Sequence, residues 1–481
     1  MTMMEKSVIP FVMYMAPGFW VAPAMAEDPF STHRLTSQNA ALEWDRLATS
    51  DHCVAQALPD KPWTLLDVVQ RALCHNPQTR QAWANARFQA EQVGVNQAAY
   101  LPSVTLSATA SRNATTSFTN TGIPIQNQLR PTLSLNYLLF DFGGREARLE
   151  SARRSLDAAN WTHDATLQTV LLAAAQGYYQ LFGSQAAVDA ARETERSSAE
   201  ALEAAIFRRK VGAATLADEL QARTAWSQAL LNRQQAEGNA RIAQGTLNNV
   251  LGLDAGYFLQ VAPPFFSEPD NVQEQNLATL IQEAKRLRPD LAAAQAQVEA
   301  QAANIKAAQA SGMPNLSFTT NYGRIYSDVF PNAQSWSLGF SLNVPLFTGF
   351  STTYQIRGAQ RQFEAQQANR DKLETQVSLD VWRAYYTLAT ARDTLDSSQA
   401  LLASAMQSAD VALGRYKAGA GNILGLLTAQ AALASARQQN IQNRYNWHIA
   451  KAALAQAMGR LDLPDLATIL PVSSSVNDKK D

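Results

Sequence analysis

Ser335-Trp336-Ser337-Leu338-Gly339-Phe340-Ser341-Leu342-Asn343-Val344 places a large apolar side chain at every second position and a small or polar one between. That is the period-two pattern of a strand with one greasy face and one polar face. From about Ser351 the period changes, and a helix-forming run continues to Lys417 without a proline. Roughly 65 residues of helix would extend about 100 Å. Ordinary globular helices average near 11–12 residues. A strand that feeds such a helix is the feature the rest of the chain has to explain.

The same unit occurs twice. Leu66, Ala72, Asn76, Pro77 and Gln78 are echoed between Leu277 and Leu291, where Ala284 precedes Arg288-Pro289-Asp290. Pro77 and Pro289 are 212 residues apart, and so are Pro102 and Pro314. Beyond the strands the offset becomes 207, as in Asn136 and Asn343, Phe140 and Phe347, Lys210 and Lys417, Gly212 and Gly419, and Gly252 and Gly459. The five-residue difference therefore falls in one hairpin loop, around Asn113–Gln128. A single loop insertion inside otherwise constant spacing is the mark of a tandem repeat.

Each unit reads as a helix of about 35 residues (Leu65–Ala99; Leu277–Ala310), two strands, a very long helix (Gly144–Lys210; Ser351–Lys417), a glycine-bearing break and a further helix (Thr215–Leu251; Ile423–Met458). The strands are expected near 103–112, 131–140, 315–324 and 335–345. In the second of them Leu133, Leu135, Tyr137 and Leu139 alternate with Thr132, Ser134 and Asn136. The long helices keep a narrow apolar seam, such as Leu167, Leu171, Ala174, Tyr178 and Leu181, under a broad polar face. The expected organisation is a signal peptide at 1–26, an N-terminal extension at 27–62, repeat one at 63–253, a proline-bearing linker at 254–275, repeat two at 276–463 and a tail at 464–481.

Composition bounds the function. Lys+Arg 40 against Asp+Glu 41, with no basic block, gives no footprint for nucleic acid. The N-terminus has Lys6, a proline-broken apolar core from Val8 to Val21 and Ala24-Met25-Ala26 as a cleavage site, the layout of an export signal. The only two cysteines are Cys53 and Cys74. In an oxidising compartment they can pair; they can equally serve as two small hydrophobes.

Strands of about ten residues with one apolar face match the length of a tilted bilayer-crossing strand, and only a closed barrel can sit in lipid. Four strands do not close, since small barrels need about eight, so copies of the chain must pool their strands. The helices are too polar for the bilayer and must project into the water beside it.

The order of these elements, together with Ala72-Leu73, Asn76-Pro77, Tyr100-Leu101-Pro102, Leu346-Phe347-Thr348-Gly349, Lys210-Val211-Gly212 and Tyr416-Lys417-Ala418-Gly419, resembles the TolC family of outer-membrane channel proteins over about Pro62 to Leu463. Around Leu73-Cys74-His75-Asn76-Pro77 the chain looks most like the CyaE-type branch, which serves type I protein secretion. The resemblance implies a mainly α fold with transmembrane β strands: a homotrimer with a 12-stranded barrel continued by a periplasmic helical tunnel. It implies outer membrane lipid as surroundings, and as partners a periplasmic adaptor and an inner-membrane ABC exporter or proton-driven pump. It also implies a channel that opens by untwisting at its periplasmic end and catalyses nothing.

The same resemblance makes Val211, Gly212, Ala213, Ala418, Gly419, Ala420 and Gly421 the periplasmic tips that meet the adaptor, against the plainer reading of two helix–helix turns. It places Asp218 and Tyr416 at gate-link positions. Gly425 and Thr428 stand where the family often carries an acidic ring, so Glu219 or Asp218 is left to supply charge there, or to be a solvated helix-face acid. Tyr178-Tyr179 and Tyr385-Tyr386 read as packing where helices cross. His33, His52, His75, His163 and His448 show no ligand spacing, and no nucleotide, zinc-protease or hydrolase signature occurs, so neither a metal nor a cofactor is expected. The rival readings are an efflux-pump channel for drugs or metals and a soluble periplasmic coiled-coil protein.

Overall fold

The structure, a computed structural model, describes residues 28–36, 62–113, 125–263 and 276–461. The export signal, Cys53, most of the linker and the tail lie outside the described residues.

Local chemistry sets the helix boundaries. Thr64 caps α1 (Leu65–His75) in a reciprocal box with Asp67, and Asn76 ends it in extended geometry, its side chain capping α2 (Pro77–Ala98). In the second unit Asn276 caps α5 (Leu277–Leu287), and Arg288 separates it from α6 (Pro289–Ala310). Each expected 35-residue helix is thus two helices. The residue before a proline is driven out of the α region by the pyrrolidine ring, and Pro77 and Pro289 then start the next helix at its first position. The other helices are α3 (Gly144–Lys210), α4 (Leu216–Val250), α7 (Ser351–Lys417) and α8 (Ile423–Ala457). The two long helices have the bounds the periodicity indicates.

The strands β1 (Ser103–Asn113), β2 (Gln126–Phe140), β3 (Asn315–Ser327) and β4 (Ala333–Asn343) form one antiparallel sheet in sequence order. Its register sorts the side chains by face. Leu106 opposes Leu133, Leu133 opposes Tyr322, and Tyr322 opposes Trp336, while Thr105, Ser134, Asn321 and Ser337 make the corresponding row on the other face. One phase correction is needed. A bulge between Leu138 and Phe140 brings Phe140, not Leu139, opposite Leu316, because one extra residue reverses the alternation.

Strand passes to long helix through two consecutive left-handed residues in both repeats: Phe142 and Gly143, then Gly349 and Phe350. The glycine and the phenylalanine exchange places between repeats, so the bend itself is the shared feature, and each copy holds one non-glycine residue at positive φ. At the first bend the buried Arg145 guanidinium donates to the Leu138 and Leu139 carbonyls at 2.7 and 3.1 Å and lies over the Tyr100 ring.

The largest apolar core lies where α1, α3, α4 and α8 meet and contains Leu65, Leu171, Tyr178, Tyr179, Leu181 and Leu247. The Tyr178 hydroxyl donates to the Ala262 carbonyl at 2.6 Å, and Trp63 pairs in parallel with Val261, tying the segment after α4 to the start of α1. The second tyrosine pair splits. Tyr385 packs against the core of Leu280, Val377, Val381 and Met458, where three helices meet, while Tyr386 stays half exposed on α7, its ring 4.7 Å from Trp382.

Neighbouring elements form an open layer. On the barrel side the order is α2–α3–α6–α7, and further along it is α4–α3–α8–α7. The sheet runs β1–β2–β3–β4. One side edge of the chain is therefore β1, α2 and α4, and the other is β4 and α7.

Candidate functional site: barrel stave and helical tip

On β4 the alternation exposes Trp336, Leu338, Phe340 and Leu342, each more than 60 % accessible in the single chain. Between Asn343 and Trp336 the strand covers roughly 24 Å at about 3.4 Å per residue. Aromatic side chains collect at both ends of this apolar band. Phe140, Phe142, Phe347 and Phe350 mark the helix side, with ring pairs at 4.8 and 5.7 Å, and Trp336, Tyr322 and Tyr326 mark the hairpin side. A band near 25 Å flanked by aromatic girdles is the outer surface of a membrane barrel. No helix among the described residues is long and apolar enough to cross a membrane.

At the far end of the long helices, Gly212 and Gly419 adopt φ of 77° and 78°. In each break two amides turn back onto the helix: Gly212 N to Arg209 O and Ala213 N to Arg208 O, then Gly419 N to Tyr416 O and Ala420 N to Arg415 O. Gly421 has a different reason to be glycine. A Cβ there would meet the Tyr416 amide nitrogen at 3.1 Å and the Arg415 carbonyl carbon at 3.2 Å. Val211, Gly212, Ala213, Ala418, Gly419 and Ala420 are exposed, with Phe207, Leu216, Leu220 and Leu424 adding apolar surface around them.

A small buried cluster of Ala201, Ala205, Ala222, Tyr416, Ile423 and Leu426 binds the two helix hairpins together behind the tip. Arg208 crosses between them. Its guanidinium stands 4.4 Å from the Tyr416 ring centre and donates to the Tyr416 carbonyl at 2.7 Å. The Tyr416 hydroxyl is buried without a hydrogen-bond partner among the described residues.

The two candidate gate acids are separated by their surroundings. Asp218 accepts from the Thr215 amide and hydroxyl in a helix-capping box, bonds that hold its carboxyl below the usual range. Glu219 is buried. Arg223 donates to its Oε1 at 3.0 Å, and Arg209 Nε lies 2.6 Å from Oε2, off the hydrogen-bond axis. Among the described residues neither acid is hydrogen-bonded to Tyr416, and each has its polar partners within its own chain, Thr215 for Asp218 and two arginines for Glu219. Gly425 and Thr428 are exposed one turn apart on α8. Arg208 and Arg209, which hold the tip together, were legible beforehand only as basic residues in the last turn of a helix.

Between α3, α4 and α8 runs a groove of about 1100 Å3 lined mainly by alanine, glutamine, asparagine, serine and threonine side chains, with Tyr179, Ile242, Leu427 and Tyr445 among them and no charged residue. Among the described residues no group of three or more His, Cys, Asp or Glu is gathered as a metal site. Cys74 is disulfide-bonded, and Cys53, the other half of the candidate pair, lies outside the described residues.

The family model for outer membrane efflux proteins matches residues 68–253 and 280–460, the two repeats. Protein CyaE of Bordetella pertussis is 32% identical over 434 residues, covering 87% of this chain and 91% of the relative. The toluene efflux pump outer membrane protein TtgC of Pseudomonas putida is 26% identical, covering 82% of each. Among solved structures, the Campylobacter jejuni CmeC outer membrane channel superposes with a TM-score of 0.76 at 19% identity, covering 86% of this chain and 92% of that one. With the repeat, the stave and the tip in place, the chain belongs to the outer membrane efflux protein family and is an outer membrane channel protein whose helices extend into the periplasm.

Proposed function

We propose that three copies of this chain form the exit duct of a tripartite export machine, and that its cargo is protein secreted by a type I system. The single observation that carries the duct is the matched pair of open edges. β1 and β4 both lack an outer neighbour among the described residues, and α7 stands at the β4 edge as α2 and α4 stand at the β1 edge. Pairing β4 of one copy with β1 of the next continues sheet and helices together, and three copies give twelve strands. The tip, with its exposed apolar side chains, is where a periplasmic adaptor docks, and an inner-membrane ABC exporter supplies the energy. The duct is proposed to pass its cargo without catalysing any reaction.

The choice of protein cargo rests on the greater identity to Protein CyaE than to the efflux-pump relatives over a similar span. A second reading, the outer membrane component of a drug or metal pump with a proton-driven partner, is favoured by those efflux-pump relatives. The test is complementation in a Gram-negative host lacking its own channel, supplied either with a type I exporter, adaptor and toxin cargo or with a drug pump and its adaptor. Cargo in the medium without restored drug resistance supports secretion. Restored resistance alone moves the chain to efflux, and recovery in the soluble periplasm overturns the duct.

A further inference from the structure

The strand segments carry an uneven charge. Residues 103–140 and 315–343 contain Arg112, Arg130 and Arg324, no lysine, and a single acid, Asp328. All three arginines lie in the half of the sheet near the hairpins, the end away from the helices. Register separates them. Arg130 shares the polar face with Ser134 and Thr132, whereas Arg324 and Arg112 stand on the apolar, lipid-facing side.

Arg112 stands next to the end of its strand, whereas Arg324 lies within its own. It is exposed, one row beyond the Tyr322–Trp336 pair, opposite Gln334, with Tyr322 and Tyr326 on the same face of its own strand and their hydroxyls within interaction range. No carboxylate forms an ion pair with it among the described residues, and Asp328 is taken up by Asn127, whose amide nitrogens donate to it at 2.9 and 2.5 Å. A guanidinium on the lipid face is costly at the bilayer centre and tolerable only at headgroup depth, which the flanking tyrosines and Trp336 mark. A guanidinium with no carboxylate partner at that depth presents a planar set of donors suited to bidentate phosphate recognition.

We propose that Tyr322-Gly323-Arg324-Ile325-Tyr326 forms a headgroup site on the outer wall of the barrel, in which Arg324 binds the phosphate of an outer-leaflet glycolipid. Tyr322 and Tyr326 hold the guanidinium in place at the boundary between headgroup and acyl chains. The site occurs once per chain. It rests on the membrane embedding of the sheet and not on the number of copies in the assembly.

The test uses the full-length protein purified in detergent, titrated with bisphosphorylated lipid A and read by native mass spectrometry. The wild type is expected to retain one lipid per chain. Arg324→Gln should weaken retention at least tenfold, Arg324→Lys should weaken it by an intermediate amount because the ammonium keeps the charge but not the planar fork, and Arg112→Gln should leave it within about twofold. Lipid A stripped of phosphate should bind the wild type no better than intact lipid A binds Arg324→Gln. Equal retention by wild type and Arg324→Gln overturns the proposal, as does equal retention of the dephosphorylated lipid. Displacement of lipid A by low-millimolar inorganic phosphate would reassign the site to a free anion and overturn the lipid. Flotation with phospholipid vesicles separates the two levels of failure. A chain that does not float overturns the membrane reading and the headgroup site together, whereas a floating chain indifferent to Arg324 overturns the headgroup site alone.

Discussion

The guanidinium of Arg208 is bonded to the carbonyl of Tyr416 across two helix hairpins that lie 208 residues apart in sequence, and it covers the ring of the same tyrosine. The contact joins the last turn of α3 to the last turn of α7, so it can persist only while the two hairpins stay side by side. A charge-assisted bond plus a cation–π contact is worth about 2–3 kcal/mol in a partly buried setting. Arg208→Ala is therefore expected to loosen the tip while leaving the barrel intact. Single-channel recording should show mean conductance at least twofold higher, with unchanged recovery in the outer membrane. Unchanged conductance would mean that this link does not hold the tip closed.

Gly421 and its repeat counterpart Ala214 make an internal control. The backbone of Tyr416 and Arg415 closes on Gly421, while the first repeat already carries a methyl group at the matching place. Gly421→Val should push the second tip out of shape and reduce export severalfold, and Ala214→Gly should stay within about twofold of wild type. Secretion assays with matched protein levels decide it. Equal loss from both would show that glycine is not specially required at Gly421.

Register makes a sharp prediction for the sheet. Leu338 faces lipid opposite Thr320, and Ser337 faces the lumen opposite Asn321. A cation on the lipid face near mid-bilayer costs about 2–4 kcal/mol. Leu338→Arg should lower insertion, and Ser337→Arg should insert normally and shift ion selectivity. Urea unfolding in vesicles and bilayer recordings measure the two effects, and the reverse pattern would place the faces the wrong way round.

Arg145 secures the bend between barrel and tunnel through the Leu138 and Leu139 carbonyls and the carboxylate of Asp141, 3.6 Å from its Nε. Arg145→Leu removes these side-chain bonds, although the residue-145 amide and Arg148 still hold Asp141, at a cost of about 1–3 kcal/mol. Thermal unfolding of the purified variant should show a clear drop. The equivalent position in repeat two is Thr352, whose hydroxyl lies 3.2 Å from that of Thr348. Thr352→Val should therefore be mild.

His448 predicts an acid limit. Its ring is buried, stacked 5.1 Å from Tyr179 and edge-on to Trp447, and burial reinforced by Arg444 and Lys451 lowers its pKa to about 4. In the unfolded chain it titrates near 6.5. The folded protein thus holds the neutral ring, so this contribution is complete above about pH 6.5, declines as pH falls towards 4, and changes no further below that. The loss reaches at most about 3 kcal/mol per chain. His448→Phe should flatten the fall in Tm between pH 7 and 4.5; an identical slope would exclude His448 as its source.

The sequence by itself determined the repeat, the strand alternation and the exact span of both long helices, because these depend on period and on local capping and turn chemistry. The 212- and 207-residue offsets located the insertion without coordinates. It also showed Pro77 and Pro289, whose local rule divides the first helices, although there the apolar period hid the break. Only the tertiary structure decided what depends on residues far apart in the chain. The bulge at Leu139 is set by pairing with β3, and Arg208 finds Tyr416 only once two hairpins have docked. Asp218 and Glu219 are adjacent acids, yet one caps its own helix and the other is buried between two arginines. The stretch from Trp336 to Leu342 announced an apolar face; it took the register with β3, of β3 with β2 and of β2 with β1, to show that this face continues across the whole stave and ends near the hairpins in Arg112 and Arg324.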